Sequence, residues 1–409
     1  MQKKITENYQ DQIEVNMKIH GVVLADQHFG VIDADKLYEE HEKIIISHLM
    51  EMKKLDVIFI AGDFFDHILY LNESHANRAC MFMDELVWIA KSNNAKIRII
   101  YGTESHECNQ YNIFFNRFID KDIDFRVINT VEEEELFPDF WVLYLPEEYI
   151  YNKQTYYEKY FTGEEKYGYI IGHGVIQELM SDVSHHMKKS SNSSRAKVPV
   201  FTSTELLENC YGEVYFGHYH INSSIKNRIF YVGSFTRWCH GEEEPKGFYE
   251  ISTDGDKFKH TFIENTYAEK YTTLNYGYNH NIFKDKEMME QEWMKIENLS
   301  NSDVLGHTRL IINVPEDYPE AESMLNVMGE RFKNQKNIKI KVVNGFIDKS
   351  KKINKEYLEE SMKKYGFIFD KSMPINEQAS QFILTKFDQD ISADRVDWHL
   401  KTSNILESD

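Results

Sequence analysis

Val214-Tyr215-Phe216-Gly217-His218-Tyr219-His220 is an apolar run that stops at a glycine followed by two histidines one residue apart. A run of this length and β-branched or aromatic character reads as a buried strand. The glycine lets the turn come close to its neighbours, and alternation turns Tyr219 away from the direction shared by His218 and His220. Taken alone, a His-x-His pair is more often a satisfied core or surface pair than a ligand pair. Its weight comes from the strands that precede it.

Four earlier apolar runs end in the same way. Ile19-His20-Gly21-Val22-Val23-Leu24-Ala25 leads to Asp26-Gln27-His28, and Asp56-Val57-Ile58-Phe59-Ile60-Ala61 leads to Gly62-Asp63-Phe64-Phe65-Asp66. Lys96-Ile97-Arg98-Ile99-Ile100-Tyr101 leads to Gly102-Thr103-Glu104-Ser105-His106-Glu107, and Tyr167-Gly168-Tyr169-Ile170-Ile171 leads to Gly172-His173-Gly174. Helical spacing separates the first three, over about 35–55 and 74–92. Strand, glycine turn and helix in alternation predict βαβ units and a parallel sheet, whose carboxyl edge carries the chemistry.

Aspartate, imidazole and further carboxylate without thiolate suit Mn²⁺, Fe²⁺ or Zn²⁺ in a catalytic centre rather than structural zinc. Two such ions about 3.5–4 Å apart activate a water and neutralise phosphoryl oxygens during in-line attack. Each residue singly is at home as a helix cap or a hydrogen-bonded core group; five strand ends in one pattern are not explained that way.

The whole chain sets the limits. Its 409 residues, 42% hydrophobic and 14% aromatic, suffice for two or three packed domains. A net charge of −20 excludes a basic nucleic-acid coat, since phosphate affinity of that kind depends on Lys and Arg. It leaves room for an enzyme that meets phosphate through bound cations. Cys80, Cys108, Cys210 and Cys239 are scattered, so neither a zinc ribbon nor a disulfide framework is indicated. Polar residues 1–17 and the lack of a bilayer-length apolar run predict a cytoplasmic protein with no membrane partner.

The five motifs together resemble those of the calcineurin-like metallophosphoesterases, and within them the Mre11/SbcD nuclease subunits, in a phage-type form. The narrower resemblance rests on Phe230-Tyr231-Val232-Gly233-Ser234-Phe235-Thr236-Arg237 and the following Gly241-Glu242-Glu243-Glu244-Pro245-Lys246-Gly247-Phe248-Tyr249. It implies an α/β fold, a four-layer sandwich of two mixed sheets flanked by helices. A small α+β capping domain and a helical C-terminal tail would follow. The implied boundaries are 1–17 for an N-terminal extension, 18–264 for the nuclease domain, 265–348 for the cap and 349–409 for the tail.

The same resemblance implies two divalent ions, manganese above all. Asp26, His28, Asp63 and His220 would hold the first, and Asp63, His173 and His218 the second, with Asp63 shared. His106 would be the general acid that assists the leaving oxygen. The family pattern at the third motif is Gly-Asn-His, with asparagine on the second metal; Gly102-Thr103-Glu104-Ser105-His106 departs from it. Ser105 aligns with the missing ligand when the histidine is kept in register, with Glu104 or a water as the alternatives.

Implied partners are DNA, a Rad50/SbcC-type ATPase engaged by the tail, and a second copy in a homodimer. The implied activity is exonucleolytic and endonucleolytic cleavage of DNA in replication, recombination or repair. A small-molecule phosphodiesterase or phosphatase on the same fold, and a non-catalytic scaffold binding DNA or the ATPase, are the rivals. Three further stretches are ambiguous. The serine-rich basic segment 188–197, beside His185 and His186, reads as a solvated loop or a DNA-backbone contact. Arg237 reads as a phosphate ligand or a structural ion pair. The apolar faces of helices at about 355–365 and 377–387 pack on the body or dock on a partner.

Overall fold

A computed structural model describes residues 18–119, 122–179, 196–276, 307–314 and 339–344, with Gln291, Met294, Glu330, Glu377, Gln378 and Ser380 besides. Segment 188–195 with His185 and His186, and nearly all of the C-terminal helical stretches, lie outside the described residues.

The chain is α/β with mixed sheets. In order, the strands are β1 (Lys18–Leu24), β2 (Val57–Ala61), β3 (Lys96–Ile100), β4 (Phe125–Ile128), β5 (Glu132–Phe137), β6 (Phe140–Leu145), β7 (Tyr167–His173), β8 (Val175–Ile176) and β9 (Val200–Phe201). Then come β10 (Cys210–Gly217), β11 (Ser223–Ile225), β12 (Ile229–Tyr231), β13 (Gly247–Asp254), β14 (Lys257–Glu264), β15 (Tyr271–Tyr276), β16 (His307–Val314) and β17 (Lys339–Asn344). One six-stranded sheet has the order β14-β13-β1-β2-β3-β4 and the other β11-β12-β10-β7-β6-β5. β1 to β4 run parallel, as do β6, β7, β10 and β12. The strands that end in candidate ligands therefore point their carboxyl ends the same way within each sheet.

Both faces of the central strands are covered, which is why they read as unbroken apolar runs. Val23 and Ala25 of the β1 run, with Phe59 and Ala61 of β2, pack against Tyr144, Tyr169, Ile171 and Tyr215 of the second sheet. Their neighbours Val22, Leu24, Ile58 and Ile60 face the other way, onto Leu37, Ile45, Leu49, Phe82 and Leu86. Those belong to helix α1 (Ala34–His41), the segment Glu42–Ile46 and helices α2 (Ser47–Glu51) and α3 (Ser74–Asn93). On the far face of the second sheet, Leu143, Ile170, Val214 and Phe216 pack with Tyr157, Phe201 and Leu206. The pleat's two-residue period divides each strand between two cores.

The expected helix over 35–55 is continuous over 34–51 but contains one wide turn, Glu42–Ile46, where the Ser47 hydroxyl donates to the Glu42 carbonyl. Helix α4 (Glu104–Glu107) is a single turn directly after β3, followed by α5 (Tyr111–Phe115).

By its contacts the chain divides into Met1–Thr272 and Thr273–Asp409. Residues 265–268 stay with the first unit because Asn265 is buried and donates to Glu40 Oε2 at 2.8 Å and to the Phe235 carbonyl at 2.9 Å. In the C-terminal part, β16 and β17 pair in parallel in a three-stranded sheet with β15. Among the described residues no helix is long and apolar enough to cross a membrane.

Candidate metal centre

The loops after β1, β2, β3, β6, β7 and β10 meet above the core shared by the two sheets. Backbone bonds fix their heights: Asp26 N–H donates to Gly62 O at 3.1 Å and His28 N–H to Asp63 O at 3.0 Å. Asp26, His28 and Asp63 adopt φ of 49°, 47° and 49°, and His218 has φ of 103°. A left-handed backbone at four non-glycine residues costs of order 1–3 kcal/mol each and persists only where surrounding contacts enforce it. Glycine is required beside them. A Cβ on Gly102 would collide with the Asp63 backbone and carboxylate, and one on Gly62 would collide with the His173 ring.

Four groups of side chains have ligand atoms within 4.8 Å of one another. Asp26, His28 and His220 form one; Asp26, Asp63 and His173 another; Glu147, His173 and His218 a third; His28, Asp66 and His106 a fourth. Six of the residues picked out in the sequence, Asp26, His28, Asp63, His173, His218 and His220, thus stand in one continuous cluster. The histidines of His218-Tyr219-His220 fall into different groups, so the motif straddles the site.

Hydrogen bonds select which nitrogen is available on each ring. His173 Nδ1 lies 2.8 Å from the Ala61 carbonyl, which only accepts, so Nδ1 carries the proton and Nε2 faces Asp63 Oδ2 at 3.2 Å. His220 Nδ1 lies 3.1 Å from Glu242 Oε1, while Glu242 Oε2 accepts from Trp238 N–H at 3.2 Å and lies 3.9 Å from the Lys246 ammonium. His106 Nδ1 donates to the Asp66 carbonyl at 2.6 Å, leaving Nε2 for chemistry. The Trp238 ring closes one side, with its centroid 5.0 Å from that of His28 and 4.6 Å from that of His220.

Charges in the cluster are mutually supporting. Burial penalises ionised Asp63, but His173 beside it prevails and holds the carboxyl far below its usual range. Burial likewise opposes a charged His173 and His28, and the surrounding carboxylates raise both. Glu107 behaves oppositely: burial and the Asp63 charge push its carboxyl up. It is a support, accepting from Phe64 N–H at 3.1 Å and Tyr111 O–H at 2.6 Å.

Divalent ions fit this donor set. Asp26 Oδ1 accepts from His218 N–H at 2.9 Å, whereas the buried Oδ2 has no hydrogen-bond partner. Nε2 of His28 and Nε2 of His220 face each other at 3.2 Å, which two neutral lone pairs do not favour without a proton or cation between them. Mixed imidazole and carboxylate ligands suit a catalytic first-row metal.

Ser105 does not stand at the ligand corner. It lies exposed on α4, and Glu104 is also exposed and accepts from Asn109 Nδ2 at 3.2 Å. Thr103 and Glu147 occupy that corner instead. The Thr103 N–H donates to Asp63 Oδ1 at 2.6 Å, and its hydroxyl is 3.3 Å from both Asp63 Oδ2 and Glu147 Oε2. Counting back from His106 placed the ligand in the extra turn; the chain keeps its register from Gly102. Glu147, Asp66 and Glu242 are site residues that the sequence reading did not single out. Only Glu147 carried a usable signal, because it follows the apolar run of β6 as Asp63 follows β2.

Arg237 is buried and structural, donating to the Ala268 and Glu244 carbonyls at 3.3 and 2.6 Å.

No family model matches this chain, and no curated protein matches it. A solved crystal structure is similar over 61% of this chain and 100% of its own, with 10% identity and a TM-score of 0.33, too slight a likeness to carry an argument.

Proposed function

We propose that this chain is a metal-dependent DNA nuclease of the metallophosphoesterase type, with the four-layer sandwich that name implies. The observation that carries the proposal is the position of Asp63 beside both Asp26 and His173, with His28 and His220 on one flank and Glu147 and His218 on the other. A shared carboxylate between two imidazole-rich groups suits a pair of cations.

Asp26, His28, Asp63 and His220 would hold one ion, and Asp63, His173 and His218 the other, manganese being the expected metal. When bound, the ions supply Lewis-acid activation of water and neutralise phosphoryl charge. The protein's own residues do the rest. Ala61 O and Glu242 hold the Nδ1 side of His173 and His220, so that Nε2 is the nitrogen each ring directs at the site. His106, held by Asp66 O through Nδ1, gives a proton to the leaving oxygen from Nε2. Trp238 shields the His28–His220 flank from solvent.

DNA as substrate, with both exonucleolytic and endonucleolytic cleavage, is supported by the resemblance of Tyr231-Val232-Gly233-Ser234 and the glutamate-rich turn after it. On the same ground we propose a cytoplasmic complex with a Rad50/SbcC-type ATPase, homodimerisation, and a role in replication, recombination or repair. Mn²⁺-dependent cleavage of end-labelled duplex and single-stranded DNA, lost in Asp63→Ala and His106→Ala, is the test. A wild type inert on DNA with its ATPase present, yet active on a generic phosphodiester, overturns the choice of substrate.

A further inference from the structure

We infer that Glu147 is a ligand of the second ion, in the corner where the Gly-Asn-His pattern would supply a neutral amide. The inference rests on the two-ion reading above and concerns only which residue completes it.

Glu147 is buried, 6% exposed, at the end of β6, and its N–H donates to the Tyr101 carbonyl at 3.1 Å, tying this loop to the end of β3. Its Oε2 lies 3.2 Å from His218 Nδ1, 3.9 Å from His173 Nε2 and 3.3 Å from the Thr103 hydroxyl. Three other strand ends therefore aim at one carboxylate oxygen. The adjacent Glu148 is turned the other way, accepting from Val131 N–H at 2.7 Å and from Tyr156 O–H at 2.5 Å. The Pro146-Glu147-Glu148 turn thus separates one inward carboxylate from one that holds the outer loops.

Charge balance gives the inward carboxylate its role. The ionic partners of Glu147 are the imidazoles of His173 and His218. Glu147 offers a buried carboxylate oxygen within 4.8 Å of ligand nitrogens of His173 and His218. A buried carboxylate among neutral imidazole ligands needs a cation, its absence being strongly unfavourable. A cation held by Glu147, His173 and His218 removes that cost. Thr103 cannot take the place alone: its hydroxyl is a weak neutral ligand, already placed between Asp63 and Glu147. A carboxylate in place of an amide adds one negative charge to the second site, and ligand charge is a main determinant of divalent affinity.

The test is Mn²⁺ titration of the metal-free full-length chain, followed by calorimetry and by the electron paramagnetic resonance signature of spin-coupled manganese. The wild type should bind two ions and give the coupled spectrum. Glu147→Ala should bind one and give an uncoupled spectrum. Glu147→Gln, which keeps the shape and restores an amide, should retain the second ion with affinity lower by roughly tenfold or more. Ser105→Ala should match the wild type. Two ions of unchanged affinity in Glu147→Ala and Glu147→Gln overturn the assignment of Glu147 alone. Fewer than two ions in the wild type overturns the two-ion centre itself.

Discussion

His173 Nε2 lies 3.2 Å from Asp63 Oδ2, although Asp63 follows β2 of one sheet and His173 ends β7 of the other. The pair joins the two sheets at their carboxyl edges. In the metal-free protein it is an ion pair, with His173 raised and Asp63 lowered despite the burial that opposes both charges.

A proton must therefore leave His173 when an ion binds. Mn²⁺ affinity should rise with pH, by up to about tenfold per unit while that proton is displaced. Titration calorimetry in buffers of different ionisation enthalpy checks this: the apparent heat should vary with the buffer in the wild type and much less in His173→Ala.

Glu242 acts through His220. Replacing it with Gln leaves the ring in place but removes the carboxylate that orients and polarises it. Metal affinity should fall roughly 10- to 100-fold, and the metal-free protein should unfold more easily because buried Lys246 loses the nearer of its counter-charges.

His41 is buried against Phe29, Phe82 and Phe235, and its Nε2 donates to Gln27 Oε1 at 2.7 Å, between Asp26 and His28 in the chain. Burial lowers its pKa from 6.5 to about 3. The folded-state value is depressed, so this contribution to stability is complete above pH 6.5 and is lost as pH falls toward 3, at about 1.4 kcal/mol per pH unit. Denaturant unfolding of the metal-free wild type and His41→Leu across pH 7 to 4 should show the stability difference between them shrinking as the solution is acidified.

Arg98 is buried in β3, with Nε and Nη2 donating to Glu134 at 2.8 and 2.7 Å. Burial opposes the Glu134 charge but Arg98 holds the carboxyl below its ordinary value. Glu134→Ala leaves a buried guanidinium with Asp124 and two carbonyls, and should cost about 3 kcal/mol at neutral pH. The loss should diminish as pH falls through the usual glutamate range, where the unfolded-state carboxylate takes up a proton that the folded one resists. Urea unfolding at pH 7 and pH 3.5 measures both.

What could be read from the sequence followed from burial. β1, β2, β3, β7 and β10 are covered on both faces, so apolar runs announce them and glycine turns mark their ends. β5 is the opposite case: Glu132-Glu133-Glu134-Glu135 looks like a solvated charge run. It forms a strand because Arg126, Lys166 and Arg98 neutralise its first three glutamates from neighbouring strands and loops. Ser105 misled because a motif is counted along the chain, whereas α4 lifts Glu104 and Ser105 out of the site and leaves Thr103 behind. Asp66 and Glu242 act by holding histidines, a role that spacing alone does not encode.

The most direct measurement is anomalous scattering at the manganese edge from crystals grown with Mn²⁺. Two peaks are expected, one among Asp26, His28 and His220 and the other among Glu147, His173 and His218, with Asp63 touching both. A single peak, or none at these side chains, contradicts a two-ion centre and with it the nuclease mechanism.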